Sequence, residues 1–151
     1  MATPRSYASK RHNILEGLVT ALKTIDGSGA FLSNLGENVH PRMKFWDEVE
    51  EFPAIHLNAG SEARQYQGGG VKDRFLTVTV RCYVNEEDAQ VALGALLEDV
   101  ETVLEKHSRL TYFDSRFTKH STQQITIISI DTDEGVLEPL GVGEMIIEVR
   151  Y

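Results

Sequence analysis

The sequence is poor in the features that announce most specialised functions. It holds one cysteine, four prolines and one tryptophan, and no apolar run approaches the ~20 residues that span a bilayer. A single cysteine excludes an internal disulfide, and Cys82 lies on the apolar side of a strand pattern, where it reads as a small buried hydrophobe. The N-terminal MATPRSYASKRHNILEGL lacks the apolar core of a signal peptide, so the chain is expected to be made in the cytoplasm and to stay off membranes. Basic charge is also short: 15 Lys and Arg against 23 Asp and Glu give a formal net charge of -8. That balance argues against tight nucleic-acid binding by phosphate neutralisation, though not against a protein past which DNA slides.

Chemical motifs are equally sparse. The histidines, His12, His40, His56, His107 and His120, have neither the i, i+4 pairing nor the cysteine partners of a zinc site. Asp131-Thr-Asp133-Glu134-Gly135 looks superficially like a calcium loop, but Val142 stands where the bidentate glutamate of an EF-hand is required, so it reads as an acid-rich surface turn. Gly68, Gly69 and Gly70 precede a strand pattern, whereas a phosphate loop opens a helix. No G-x-S-x-G elbow is present, and Cys82 is not at an activating helix N-terminus. No catalytic, metal or cofactor residue is assigned, and no cofactor is expected.

What is present is order. Ile14, Leu15, Leu18, Val19, Leu22 and Ile25 recur at helical spacing and predict an amphipathic helix over Ser6–Ile25. Gly27 and Gly29 end it, and a loop with a short apolar patch at Phe31, Leu32 and Leu35 follows. The stretch Met43–Phe52 is too mixed to assign: a helical turn, or an extended cover over the core. The densest pattern runs from Phe52 to Lys106. Ala54–Ala59 reads as a strand and Glu62–Gln67 as a second, polar one, with the three glycines as a hairpin tip. Leu76, Val78, Val80, Cys82 and Val84 then alternate with Phe75, Thr77, Thr79, Arg81 and Tyr83, the period of a half-buried strand. Asn85 is expected to cap a second helix whose first turn holds Glu86, Glu87 and Asp88. Its core stripe is Ala89, Leu93, Leu96, Leu97, Val100, Val103 and Leu104.

The outward face of that second helix is unusual. Val91, Gly94 and Ala95 project away from the stripe, and an exposed helical glycine costs about 1 kcal/mol relative to alanine. The patch is either a contact surface or a glycine tolerated by a stable helix. Gly17 lies similarly off the core face of the first helix. Two further strands follow, Ile125–Ile130 with a bulge expected at Ile127–Ile128, and Met145–Tyr151. The expectation is one α+β domain over residues 1–151, a mostly antiparallel sheet with two amphipathic helices packed on one face. Residues 1–5 are expected to form a flexible N-terminal arm and 60–73 a flexible hairpin arm. Charge is uneven, with Arg5, Lys10, Arg11 and Lys23 near the start and acids over 86–105 and 131–144. Two solvated faces would account for it, and so would a polarised subunit whose ends meet different partners.

The order of an N-terminal helix, EFPAIHLNAGSE, a glycine-tipped hairpin, FLTVTVRCYVNEEDAQ opening an acidic helix, and the terminal pair TIISIDTDEGVLEPLGVGEMIIEVRY resembles the tail terminator proteins of long-tailed phages. The resemblance covers Lys10 to Tyr151 and rests on element order and size. It implies a non-enzymatic virion protein, at the head-proximal end of the tail, that forms a hexameric ring on the tail tube, stops its growth and offers the head a surface. The implied partners are further copies of itself, the tail tube protein and a head-completion or connector protein, with DNA met only in passage. No family motif transfers by position, so the interface residues are chosen on physical grounds. They are Arg64, Tyr66, Gly68, Gly69, Gly70 and Lys72 on the hairpin, Val91, Gly94 and Ala95 on the helix, and Asp131, Asp133 and Glu134 as channel-lining or partner-facing acids. Another head-tail joining or tail-tube subunit, or a small cytoplasmic ligand-binding domain or enzyme with a scattered site, are the alternatives.

Overall fold

The computed structural model describes residues 9–151. The expected arm at 1–5 and the first residues assigned to the first helix lie outside the described residues. Ser9 caps helix α1 (Lys10–Leu22), its hydroxyl oxygen accepting from the His12 N–H at 3.1 Å. Apolar spacing carries on to Ile25, but the backbone does not. Thr24 and Ile25 bond three residues back, to Ala21 and Leu22, so the helix tightens and ends while Ile25 stays buried. The rhythm records burial beyond the last helical turn.

The main sheet has five strands in the order β1-β2-β3-β7-β6. Strand β1 (Val39–His40) pairs parallel with β2 (Ala54–Tyr66), and every other pairing in this sheet is antiparallel. The two strands expected at Ala54–Ala59 and Glu62–Gln67 are one strand. A bulge between Ala59 and Glu62 absorbs the irregularity that separated them in the sequence. Strand β3 (Lys72–Asn85) returns from the hairpin, with Leu76, Val78, Val80, Cys82 and Val84 buried as its alternation requires.

Helix α2 (Ala89–Lys106) starts later than expected. Asn85 pairs with Leu140 as the last residue of β3, so the ladder takes the residue that resembled a helix cap, and Glu86–Asp88 form the connecting turn. Strands β4 (Thr111–Phe113) and β5 (Lys119–Ser121) make a separate ribbon beside α1. Strand β6 (Gln124–Thr132) is an edge strand, and the expected bulge lies between Ile127 and Ser129. Strand β7 (Leu140–Arg150) completes the sheet.

Both helices cover one sheet face, and β7 shows how α2 reaches it. Its inward positions are Gly141, Gly143, Met145, Ile147 and Val149, small at one end and large at the other. A Cβ at Gly141 would lie 2.7 Å from Val84 Cγ2 and 3.3 Å from the Ala89 carbonyl oxygen. One at Gly143 would lie 3.0 Å from Leu93 Cδ1. The glycines let the start of α2 press onto the strand. The opposite sheet face is covered at that same end by the 41–53 segment, an irregular cover that contains one turn, closed by the Glu48 N–H to the Phe45 carbonyl at 2.9 Å. Tyr83 donates its hydroxyl to the Lys44 carbonyl, and His56 bonds the Arg42 carbonyl through Nδ1 at 2.8 Å. Burial lowers the His56 pKa.

Candidate functional site

The hairpin outruns the rest of the sheet. Strand β7 ends opposite Phe75, while β2 and β3 continue pairing through Arg64–Arg74, Gln65–Asp73 and Tyr66–Lys72. The tip closes through Gln67 N–H to the Val71 carbonyl at 2.7 Å, with Gly69 and Gly70 at φ of 75° and 81°. Those left-handed values favour glycine, and the tip packs against nothing that a Cβ would touch. Arg64, Tyr66 and Lys72 are all exposed beside it.

Its base is fastened by a polar cluster that sequence reasoning missed. Glu62 accepts from Arg64 Nε at 2.8 Å, Arg74 Nε at 3.2 Å and the Tyr151 hydroxyl. Burial alone would raise the Glu62 carboxyl, but the bonds from Tyr151, Arg64 and Arg74 prevail and hold it at about 2. Burial, together with the Glu62 bond, pushes Tyr151 up to about 12. Asp73 is fixed by Arg150 at 2.8 Å, which lowers its pKa. Arg74 also lies 4.4 Å from the Tyr151 ring centroid.

On α2, Val91 is 67% exposed and Gly94 faces open space, with nothing within 4 Å of a Cβ added there. Ala95 is half-buried, because a cleft opens beside it. That cleft, about 290 Å³, lies between α2, the loop at Leu32 and the Phe52-Pro53 step, with Ala92 and Val84 in its lining. Leu32, 65% exposed, stands at the mouth. Asp99 holds the loop in place, its carboxyl oxygens accepting the N–H of Leu32 at 3.0 Å and of Ser33 at 2.7 Å. Asp99 is buried within the core stripe. One carboxylate among apolar stripe positions was the available signal, since a buried acid requires a partner.

The three acids at the end of β6 and in the β6–β7 connection divide. Asp131 and Glu134 are exposed. Asp133 is committed to its own turn, accepting from Gln90 Nε2, Leu137 N–H and Val142 N–H at 3.2–3.3 Å. Gly17, noted as lying off the core face of α1, packs toward the Thr111 carbonyl and borders an apolar groove of about 420 Å³ between α1 and β4.

The other rim of that groove is a feature the sequence did not reveal. The β4–β5 turn is built around Asp114, whose Oδ1 accepts the N–H groups of Arg116 and Thr118, each at 2.9 Å. Its Oδ2 meets His120 Nε2 at 2.9 Å. Led by the His120 bond and helped by the Thr118 N–H, these partners lower the Asp114 carboxyl to about 2. The turn holds Phe117 at φ 61°, a left-handed value that costs an aromatic residue energy, and leaves its ring 86% exposed. Phe113 beside it is 47% exposed.

Nothing in these surfaces assembles a catalytic constellation. Cys82 is fully buried and its thiol is pushed up to about 12 by that burial. Among the described residues no group of three or more His, Cys, Asp or Glu is placed to hold a metal ion, and no helix is long and apolar enough to cross a membrane.

Comparison with known proteins gives these surfaces a context. Residues 8–151 match the family described as Bacteriophage Tail Tube Terminator Protein. The tail tube terminator protein p142 of Escherichia phage T5 is 33% identical over 150 residues, covering 93% of this chain and 92% of the relative. Among solved structures, a chain from the virion of a native gene transfer agent particle superposes with a TM-score of 0.57 at 12% identity. That alignment covers 96% of this chain and 98% of the other, a likeness of fold.

Proposed function

The chain belongs to the bacteriophage tail tube terminator family, and from that premise we propose that it closes the tail tube as a hexameric ring. It is a structural protein of the phage virion and not an enzyme. In the proposed role, copies assemble on the last ring of the tube, end its polymerisation and present the surface to which the DNA-filled head attaches. The hairpin arm reaches the tube or a neighbouring copy, through Arg64, Tyr66 and Lys72 around the Gly68–Gly70 tip. The Val91, Gly94 and Ala95 face of α2 makes the contact between copies. Asp131 and Glu134 face the channel or the head-side partner, where negative charge keeps passing DNA from adhering.

The observation that carries this reading is that the arm projects beyond β7 and ends in a tip whose three glycines face open space. A two-stranded extension is marginal in water and buries little of its own surface. A partner surface gives it a purpose that folding does not.

Electron microscopy of the purified protein with isolated tail tubes tests this. Rings capping one end of each tube are expected. Long self-assembled tubes would identify a tube subunit instead, and a strict monomer indifferent to tubes would overturn both readings.

A further inference from the structure

The contact between copies has a second half, and the charges around it identify it. The α2 cleft and Phe117 lie at opposite ends of the sheet. Ala89 sits over Gly141, at the end of β7 where Leu140 pairs with Asn85. The β4–β5 ribbon is joined to the other end, through Gln123 N–H to the Arg150 carbonyl and through Tyr112 against Tyr151. Strand β7, eleven residues long, runs roughly 34 Å between those two ends. One is a recess with apolar walls at Leu32, Phe52, Val84 and Ala95 and polar ones at Asn34, Asn85 and Glu86, and the other is an apolar projection.

Their rims carry opposite charge. Glu86, Glu87 and Asp88 lie exposed just before α2, and none forms an ion pair among the described residues. Arg116 and Lys119 flank Phe117, are equally exposed, and likewise form no ion pair among the described residues. Free acids beside a recess and free bases beside a projecting ring, on the same chain, are complementary only between copies.

We propose that Phe117 of one copy seats in the Leu32–Phe52–Ala95 cleft of the next, with Arg116 and Lys119 facing Glu86–Asp88. Such a contact is heterologous, joining one face to a different face, and it closes into a ring when the rotation between copies permits. The Asp114 turn keeps the ring out in water before assembly, so the aromatic anchor is already in place when copies meet. This inference rests on the ring reading and supplies the surface opposite the α2 patch.

Paired charge reversals test it on isolated tail tubes. In Glu86→Lys/Glu87→Lys both rims are basic, and in Arg116→Glu/Lys119→Glu both are acidic. Each variant alone should lose at least about tenfold in capped tube ends, because like charges then meet at every joint. An equimolar mixture should restore capping through alternating copies, with circular dichroism confirming that both variants are folded. Phe117→Ser should also fall at least about tenfold and not recover on adding either variant. Wild-type rings on tubes together with variants that each cap as well as wild type would overturn the knob-and-cleft joint while leaving the ring reading intact. Failure of the mixture, with both variants folded, would overturn it as well. Wild-type protein that never caps tubes would overturn the ring reading itself, and this joint with it.

Discussion

Asp99, buried in the middle of α2, is bonded to the backbone of Leu32 sixty-seven residues earlier, at 3.0 Å from one carboxyl oxygen and 3.1 Å from the other. Ser33 adds a third bond at 2.7 Å. The same side chain therefore anchors the 26–38 loop and shapes one wall of the α2 cleft. Asp99→Leu keeps the size but removes every acceptor that the Leu32 and Ser33 N–H groups use. It should cost about 1.5–3 kcal/mol in urea denaturation, the range for hydrogen bonds to charged groups. An unchanged midpoint would show that the loop is held by its apolar contacts alone.

Gly94 and Gly141 should respond to alanine in opposite directions. Gly94 has open space around it, so Gly94→Ala should stabilise the isolated chain by up to about 1 kcal/mol through helix propensity. Gly141→Ala would place a methyl 2.7 Å from Val84 Cγ2 and should cost about 1–3 kcal/mol. Thermal denaturation of the two variants in parallel decides it. Equal shifts would mean that α2 and β7 are packed less closely than described.

The hairpin base should be acid-sensitive. Folding holds Glu62 at about 2, below its ordinary 4.5, so its contribution is complete above about pH 4.5 and is lost as pH falls toward 2. The difference in melting temperature between wild type and Glu62→Gln should therefore be largest near neutrality and shrink across that window. A difference that is constant with pH would assign the loss to packing and not to charge.

The arm tip should be dispensable for folding and required for function. Replacing residues 67–71 with Asn-Gly joins Tyr66 to Lys72 through a two-residue turn suited to a hairpin. Stability should change by less than about 0.5 kcal/mol, as for other surface changes, while tube capping falls. Capping at the wild-type level would remove the arm from the proposed function.

Cys82 should resist thiol reagents in the native protein and react only on unfolding, because burial raises its pKa to about 12. Rapid labelling under native conditions would contradict the packing of β3 beneath α2.

The core was legible because it is periodic. The β3 alternation and the α2 stripe named buried residues correctly, and the bulge in β6 was visible as two adjacent isoleucines. Boundaries failed where two signals competed for one residue. Asn85 is a good helix cap, yet its ladder partner Leu140 is remote in sequence. Glu62 looked like one more acid on a polar strand, because Arg74 and Tyr151 come to it only through pairing. Phe117 lay in an unpatterned loop, and its exposure is set by the bonds to Asp114. The α2 patch was visible as an uncharged face, but Leu32 and Phe52, which form a cleft beside Ala95 at its edge, arrive from elsewhere in the chain.

Tube growth in the presence of this protein tests termination most directly. Purified tail tube protein would be polymerised with increasing amounts of the chain, and tube lengths measured by electron microscopy. Termination predicts that mean length falls as the chain is added and that every shortened tube carries a ring at one end only. Tubes that lengthen unchanged, with the protein absent from their ends, would contradict it.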